Sequence, residues 1–323
     1  MRRSCAIISL FLISLLLNPV VGRSQVNRRR AMDYLQLGTI ELEAGHLETA
    51  LTHFERAIEL DRNFGAAYFS RGLVRKRQRD FDGAISDFTR SIELRPLAEA
   101  YLNRGATLKD KGDSDGAIMD YNKAIEMRPD YADAFFNRGI AKDEKRDLDG
   151  AIQDFTRAIE LSPAHARAFV GRGLARMRKG DADGAVADYS RGVELNPRAF
   201  LGFFNRALAR KHKGDFDGAI ADLNKALEIN STDVEIRYER GILRAARGDT
   251  DGAMADFGRV IQLNPWHARS YANRGLIMLA RRQDTEAQKQ LDRALELDSS
   301  LKAALQKSID EIMKTRQSSP AKP

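Results

Sequence analysis

Along most of this chain an apolar residue recurs every three or four positions, in short runs broken by polar turns rich in Asp and Gly. That spacing predicts amphipathic helices, since strands would alternate at every second position. The runs themselves recur. Gly38, Gly72, Gly105, Gly139, Gly173, Gly241 and Gly275 mark them, with Ala207 at the one skipped place. Each step is 34 residues, except that Gly72 to Gly105 is 33. Twelve residues after each mark comes an alanine: Ala50, Ala84, Ala117, Ala151, Ala185, Ala219, Ala253 and Ala287. Four further on stands Phe54, Phe88, Tyr121, Phe155, Tyr189, Leu223, Phe257 or Leu291. These registers predict two helices per repeat, with the glycine letting the second approach the first opposite the small alanine. Asp80, Asp113, Asp147, Asp181, Asp215 and Asp249 fall at the junction, placed to cap the free N–H groups of the second helix. Pro96, Pro129, Pro163, Pro197 and Pro265 close repeats, because the residue before a proline disfavours the helical region.

With its aromatic four residues before the glycine (Tyr34, Tyr68, Tyr101, Phe135, Phe169, Phe203 and Tyr271), the pattern resembles the tetratricopeptide repeat family, whose period is about 34 residues. Arg237 breaks that aromatic column in the seventh repeat. The family's tyrosine three residues after the glycine is absent, replaced by residues such as Arg75, Lys142 and Arg176. The resemblance covers residues 31–301 and implies an all-α fold: a right-handed superhelical solenoid of eight helix–turn–helix repeats with a concave groove. The expected repeats are 31–64, 65–97, 98–131, 132–165, 166–199, 200–233, 234–267 and 268–301. One pair cannot bury its own apolar face, so stacking supplies the core. Residues 302–316 read as a capping helix with Leu305, Ile309 and Ile312 on one face, and 317–323 as a disordered tail. The marks are most degraded at Asn230–Asp233, where the weakest joint is expected.

The N-terminus adds an address. Arg2 and Arg3 precede an apolar run from Cys5 to Leu17, and Asn18-Pro19 and small residues follow. Residues 1–24 therefore read as a secretory signal peptide and 25–30 as a short basic leader. Export to a periplasmic or extracellular space is expected, with no stable membrane insertion after cleavage. The alternative is tethering by an uncleaved segment, although 13 apolar residues fall short of the ~20 that span a bilayer. The formal charge is +7, but beyond residue 24 there are 50 basic and 46 acidic residues, a net of +4. Both signs are interspersed, which does not call for a nucleic-acid partner.

Candidate chemistry is sparse. Cys5 is the single cysteine, which excludes a disulfide framework and a cysteine-ligated metal. His46, His53, His165, His212 and His267 share no metal-ligand spacing, and no phosphate loop or nucleophile motif appears. No metal or other cofactor is expected, and a small-molecule ligand is disfavoured. The recurrent Asp-x-Asp-Gly fails as a calcium loop: aligning Gly116 at position 6 puts Lys111 at 1 and Asn122 at 12. Arg and Asp recur together in six repeats, the arginine just before the mark (Arg71, Arg104, Arg138, Arg172, Arg206 and Arg240) and the aspartate fifteen after it (Asp87, Asp120, Asp154, Asp188, Asp222 and Asp256). The first repeat lacks both, with Leu37 and His53 there, and the joint absence predicts direct structural ion pairs.

Helical spacing turns the two residues after the aromatic towards the groove. The first row includes Phe69, Leu102, Phe136, Phe204 and Tyr238; the second includes Ser70, Asn103, Asn137, Asn205 and Asn273. An amide both donates and accepts, so spaced asparagines suit the main chain of an extended peptide, with the apolar row as anchors. A similar asparagine ladder lines the repeats of the glycosyltransferase that adds N-acetylglucosamine to nuclear and cytoplasmic proteins; here Gly171 and Glu239 interrupt it. An Asn-Arg-Gly triplet common in this kind of repeat is the competing reading. The function expected is a non-enzymatic scaffold that binds a protein or peptide segment. The alternative is a recognition or assembly subunit of an envelope enzyme complex, with a nucleic-acid binder behind it.

Overall fold

The computed structural model describes residues 19–318, and among these every regular element is helical. The helices form two compact units, one within residues 1–163 and one within 164–323. In the first unit α1 (Pro19–Glu43) pairs with α2 (Leu47–Leu60), and α3 (Gly65–Arg77) with α4 (Phe81–Leu94). Then α5 (Ala98–Asp110) pairs with α6 (Ser114–Met127), and α7 (Ala132–Glu144) with α8 (Leu148–Leu161). The second unit continues with α9 (Ala166–Arg178) and α10 (Ala182–Leu195), then α11 (Phe200–His212) and α12 (Phe216–Ile229). It ends with α13 (Val234–Ala246) and α14 (Thr250–Leu263), α15 (Ala268–Ala280) and α16 (Asp284–Leu297), a single 3₁₀ turn (Ser299–Leu301) and α17 (Lys302–Ser318). The fold is an all-α solenoid of tandem helix pairs with a C-terminal helix.

The second helix of each pair carries the core. Its alanines from Ala50 to Ala287 are fully buried, as are Phe54, Phe88, Tyr121 and Phe257. The glycine of the first helix faces that ring, and the alanine lies beside it. A Cβ on Gly72 would stand 2.8 Å from Phe88 Cε1, and one on Gly173 2.7 Å from Tyr189 Cε1. Glycine therefore lets an aromatic edge lie on the backbone of the neighbouring helix. Ala207 shares its core with Leu223, a narrower side chain than a ring.

The turns are equally regular. Each passes through one residue with positive φ: Gly45, Gly112, Gly180, Gly214 or Gly248 in five of them, and Arg79, Arg146 or Arg282 in three. The junction aspartates then cap the second helix, accepting from the backbone N–H of Gly83, Gly116, Gly150, Gly184, Gly218 and Gly252 at 2.8–3.0 Å. A Cβ at those glycines would come within 2.1–2.5 Å of the capping carboxylate. The second Asp of the motif pairs with the next repeat's turn, as in Asp82 with Lys111, Asp115 with Lys145, Asp217 with Arg247 and Asp251 with Arg281. Capping and stacking thus account for both acids of Asp-x-Asp-Gly.

The 33-residue step is absorbed in the connector 95–97, one residue shorter than its counterpart 61–64. The connector at Asn230–Asp233 lacks a proline but is well bonded. Asp233 caps α13 at Ile236 N (3.0 Å), and Arg237 donates to the Ser231 carbonyl (2.7 Å).

Both ends depart in detail from the expectation. Of the expected signal peptide 1–24, residues 1–18 lie outside the described residues, and Pro19 opens α1, where its missing N–H has no partner to lose. Residues 25–30 are helical, within the same helix that opens the first repeat. No described helix is long and apolar enough to cross a membrane. At the other end Leu305 is buried and Ile309 packs beside it against Ala272 and Leu291, as the capping role requires. The helix extends through Gln317 and Ser318, and 319–323 lie outside the described residues.

Candidate peptide-binding face

The face is held by a buried polar lattice. Asp87, Asp120, Asp154, Asp188, Asp222 and Asp256 are only 2–5% exposed. Each is gripped by the arginine expected: Arg71, Arg104, Arg138, Arg172, Arg206 or Arg240. Nε donates to one carboxylate oxygen at 2.8–3.0 Å and Nη2 to the other at 2.6–2.7 Å. This bidentate fork is the strongest ordinary form of an ion pair. The guanidinium also lies over the aromatic three residues earlier, 5.4–5.7 Å from the rings of Tyr68, Tyr101, Phe135, Phe169 and Phe203.

Two features of this lattice escaped the sequence reading. Arg75, Lys142, Arg176, Arg210 and Arg244, standing where the family carries tyrosine, give the aspartate a second cation at 2.8–2.9 Å. In the third repeat Leu108 occupies that place. Further, Nη1 of Arg104, Arg138, Arg206 and Arg240 reaches back to Thr89, Asn122, Ser190 and Asn224 of the preceding repeat at 2.7–3.1 Å. One arginine therefore ties two repeats together. With its oxygens committed to fixed donors, the aspartate serves as architecture and has no spare lone pair aimed at a substrate.

The expected groove rows behave differently from each other. Ser70, Asn103 and Asn137 in the first unit, and Asn205 and Asn273 in the second, are all half-exposed. Asn103 donates to the Glu99 carbonyl one turn back (2.8 Å), and Asn273 to the Tyr238 hydroxyl (3.1 Å). The Asn137 and Asn205 amides make no side-chain hydrogen bond among the described residues.

The apolar row divides. Phe69, Phe204 and Tyr238 are half-exposed, but Leu102 and Phe136 are 9% and 4% exposed and belong to the core, against the expectation that they anchor a ligand. Contact with the inner ring of the repeat does not separate them: Phe69 packs 5.7 Å from Phe88, Phe136 5.8 Å from Phe155 and Tyr238 5.8 Å from Phe257. Helical spacing gives a side chain's direction but not how deeply the partner helix covers it.

Charges beside these rows pair with each other. Lys76 meets Asp110 (3.4 Å), Lys109 reaches Asp110 (3.3 Å) and Glu144 (3.8 Å), and Lys211 bonds Glu239 (2.7 Å). In the second unit a hollow of about 310 Å³ opens between α15 and α17, lined by Tyr238, Arg269, Ala272, Asn273, Leu305 and Ser308. Burial raises the Tyr238 hydroxyl above the ordinary phenol value. Its ring lies 4.8 Å from His267, which burial pushes towards the neutral form. A neutral Nδ1 suits the role His267 plays in capping α15, where it accepts from Ser270 N. Among the described residues no acid, histidine or cysteine group is arranged to hold a metal ion.

The comparisons agree with this architecture. Tetratricopeptide repeat matches cover residues 35–99, 132–165 and 170–234, and a TPR repeat match covers 107–142. The chain belongs to the tetratricopeptide repeat family. Human tetratricopeptide repeat protein 36 is 39% identical over 75 residues, which are 23% of this chain and 39% of that protein. The chain thus spans well under half the length of that curated relative. A tetratricopeptide repeat protein from Parabacteroides merdae is 17% identical, with a TM-score of 0.58 over 83% of this chain and 99% of its own. The C-terminal part of a TPR repeat-containing protein from Cytophaga hutchinsonii is 18% identical, with a TM-score of 0.59 over 74% of this chain and 98% of its own. At those identities the two structures share the fold. It is the fold of a repeat scaffold.

Proposed function

We propose that this protein is a non-enzymatic scaffold that holds an extended peptide or protein segment against the first helices of its repeats. The observation that carries this reading is the row of half-exposed amides, of which Asn137 and Asn205 make no internal side-chain bond. Each can donate to and accept from a peptide main chain. Phe69, Phe204 and Tyr238 offer partly open apolar surface beside them, and the hollow at Tyr238 and Asn273 has room for one apolar side chain. Because the neighbouring lysines and acids already pair, the face favours a ligand of mixed composition over a uniform polyanion. The site of action proposed is beyond the cytoplasmic membrane, periplasmic or extracellular, on the strength of the N-terminal charged and apolar pattern.

The test is capture of the natural partner from the exporting cell's envelope fraction by the parent and by a variant with Asn103, Asn137, Asn205 and Asn273 all changed to Ala. Helicity should be unchanged. Affinity should fall by roughly 1 kcal/mol for each engaged amide, with the larger share from Asn137 and Asn205. Equal binding by the quadruple variant would refute the proposal.

A further inference from the structure

The junction of the seventh and eighth repeats, within the second unit, breaks the polar lattice in a concerted way. Arg274 holds the register of Arg71 and Arg240, but Gln290 stands where the aspartate should be. Gly258 stands where Asn224 and Ser190 receive the arginine of the following repeat, and the space a side chain would fill there is open. Both Arg274 Nε and Gln290 Oε1 are buried without a hydrogen-bond partner. The next position along α14 is neutral as well. Arg259 bonds the amide of Gln262 (3.0 Å), where the other repeats bridge to an acid, as in Arg90 with Glu93, Arg191 with Glu194 and Arg293 with Glu296. The corresponding surface between α2 and α3 is lined by Glu55 and Glu59 around Arg71. At this one junction, two carboxylates and one neutral acceptor for the arginines are lost. Trp266, in the connector beside it, is 74% exposed.

We propose that this junction is a second docking site, separate from the amide face, for an acidic segment of a partner protein. A carboxylate from outside meets the open Nη edge of the Arg274 guanidinium, which no internal aspartate neutralises, a second faces Arg259, and Trp266 covers the segment's apolar side. The occupant is chosen by charge complementarity: in six repeats the same arginine register holds a carboxylate in a bidentate fork. Arginine matches that geometry better than it matches water. A large exposed indole in the connector between the helices that carry Arg259 and Arg274 also has the composition typical of an interaction hot spot.

The chain contains one tryptophan, so its emission reports on this site alone. The full chain would be titrated with a peptide of alternating Glu and Ser, and with the same peptide carrying Gln for Glu. The acidic peptide should shift Trp266 emission and bind less tightly as salt rises, while the Gln peptide does neither. Arg274→Gln should weaken binding on the order of tenfold, the loss of one good charged contact. Gln290→Asp guards against misfolding, because it supplies the internal carboxylate, closes the site and should weaken binding comparably in a well-folded protein. The quadruple asparagine variant should bind the acidic peptide like the parent. Parent-like affinity in Gln290→Asp, equal binding of the Gln peptide, or loss of binding in the asparagine variant would each overturn the proposal.

Discussion

Arg71 and Arg274 occupy the same register in the second and eighth repeats, and their surroundings are opposite. Arg71 lies over Tyr68, donates twice to Asp87, and shares that carboxylate with Arg75. Arg274 faces Gln290, an open space at Gly258, and Met278 in the place of Arg75. The comparison teaches that the arginine column is not structural in itself. It becomes so only where the second helix supplies the acid, and one missing acid turns a fastener into an uncompensated cation.

The hardest blow to this contrast comes from Asp154→Ala. Asp154 is buried between Arg138 (2.6 Å) and Lys142 (2.8 Å), so its removal strands two cations. The expected loss is about 3–5 kcal/mol in urea denaturation. The paired change Arg138→Met with Asp154→Leu should cost less than the single one, and strict additivity would break the pairing argument. A smaller effect of opposite sign is expected from Gln290→Asp, which should raise stability by about 1.5 kcal/mol by giving Arg274 its carboxylate. If that variant melts earlier than the parent, the eighth repeat is not the incomplete copy that the comparison makes it. The smallest effect lies in the turns. Arg146 adopts φ 65°, a left-handed conformation that costs a side chain about 1 kcal/mol. Arg146→Gly should recover up to about that much, and Gly180→Ala should lose a similar amount, both measured by thermal melts.

Much of this was legible in the sequence because the repeats test one another. The Arg–Asp pairing was readable from its joint absence in the first repeat, where Leu37 is exposed and His53 instead lies 5.9 Å from Tyr34. The capping aspartates were readable from position alone. The role of Arg75, Lys142 and Arg176 was not, because a residue three after the glycine shares a helix face with both the core and the lattice. The burial of Leu102 and Phe136 was hidden because helical spacing gives a side chain's direction and not its depth: Phe69 and Tyr238 hold the same register and stay half-exposed. Trp266 stands exposed in its connector, with Arg293 5.8 Å above the ring. The left-handed turn glycines did carry a signal, a glycine just past the end of five of the eight first helices, which the 34-residue marks overshadowed.

The bonds between neighbours also bear on how such a chain can be copied. An interior repeat meets the one before it through an arginine reaching Thr89, Asn122, Ser190 or Asn224, and the one after it through an aspartate reaching a lysine or arginine in the next turn. Both ends of that module accept any neighbour of the same kind. A tandem duplication or deletion of 34 codons in the interior therefore closes its own seam without a second mutation. The eighth repeat is not exchangeable in this way, since moved inward it would leave Arg274 unneutralised between two repeats. Exchange of whole repeats is therefore least disruptive among the interior copies.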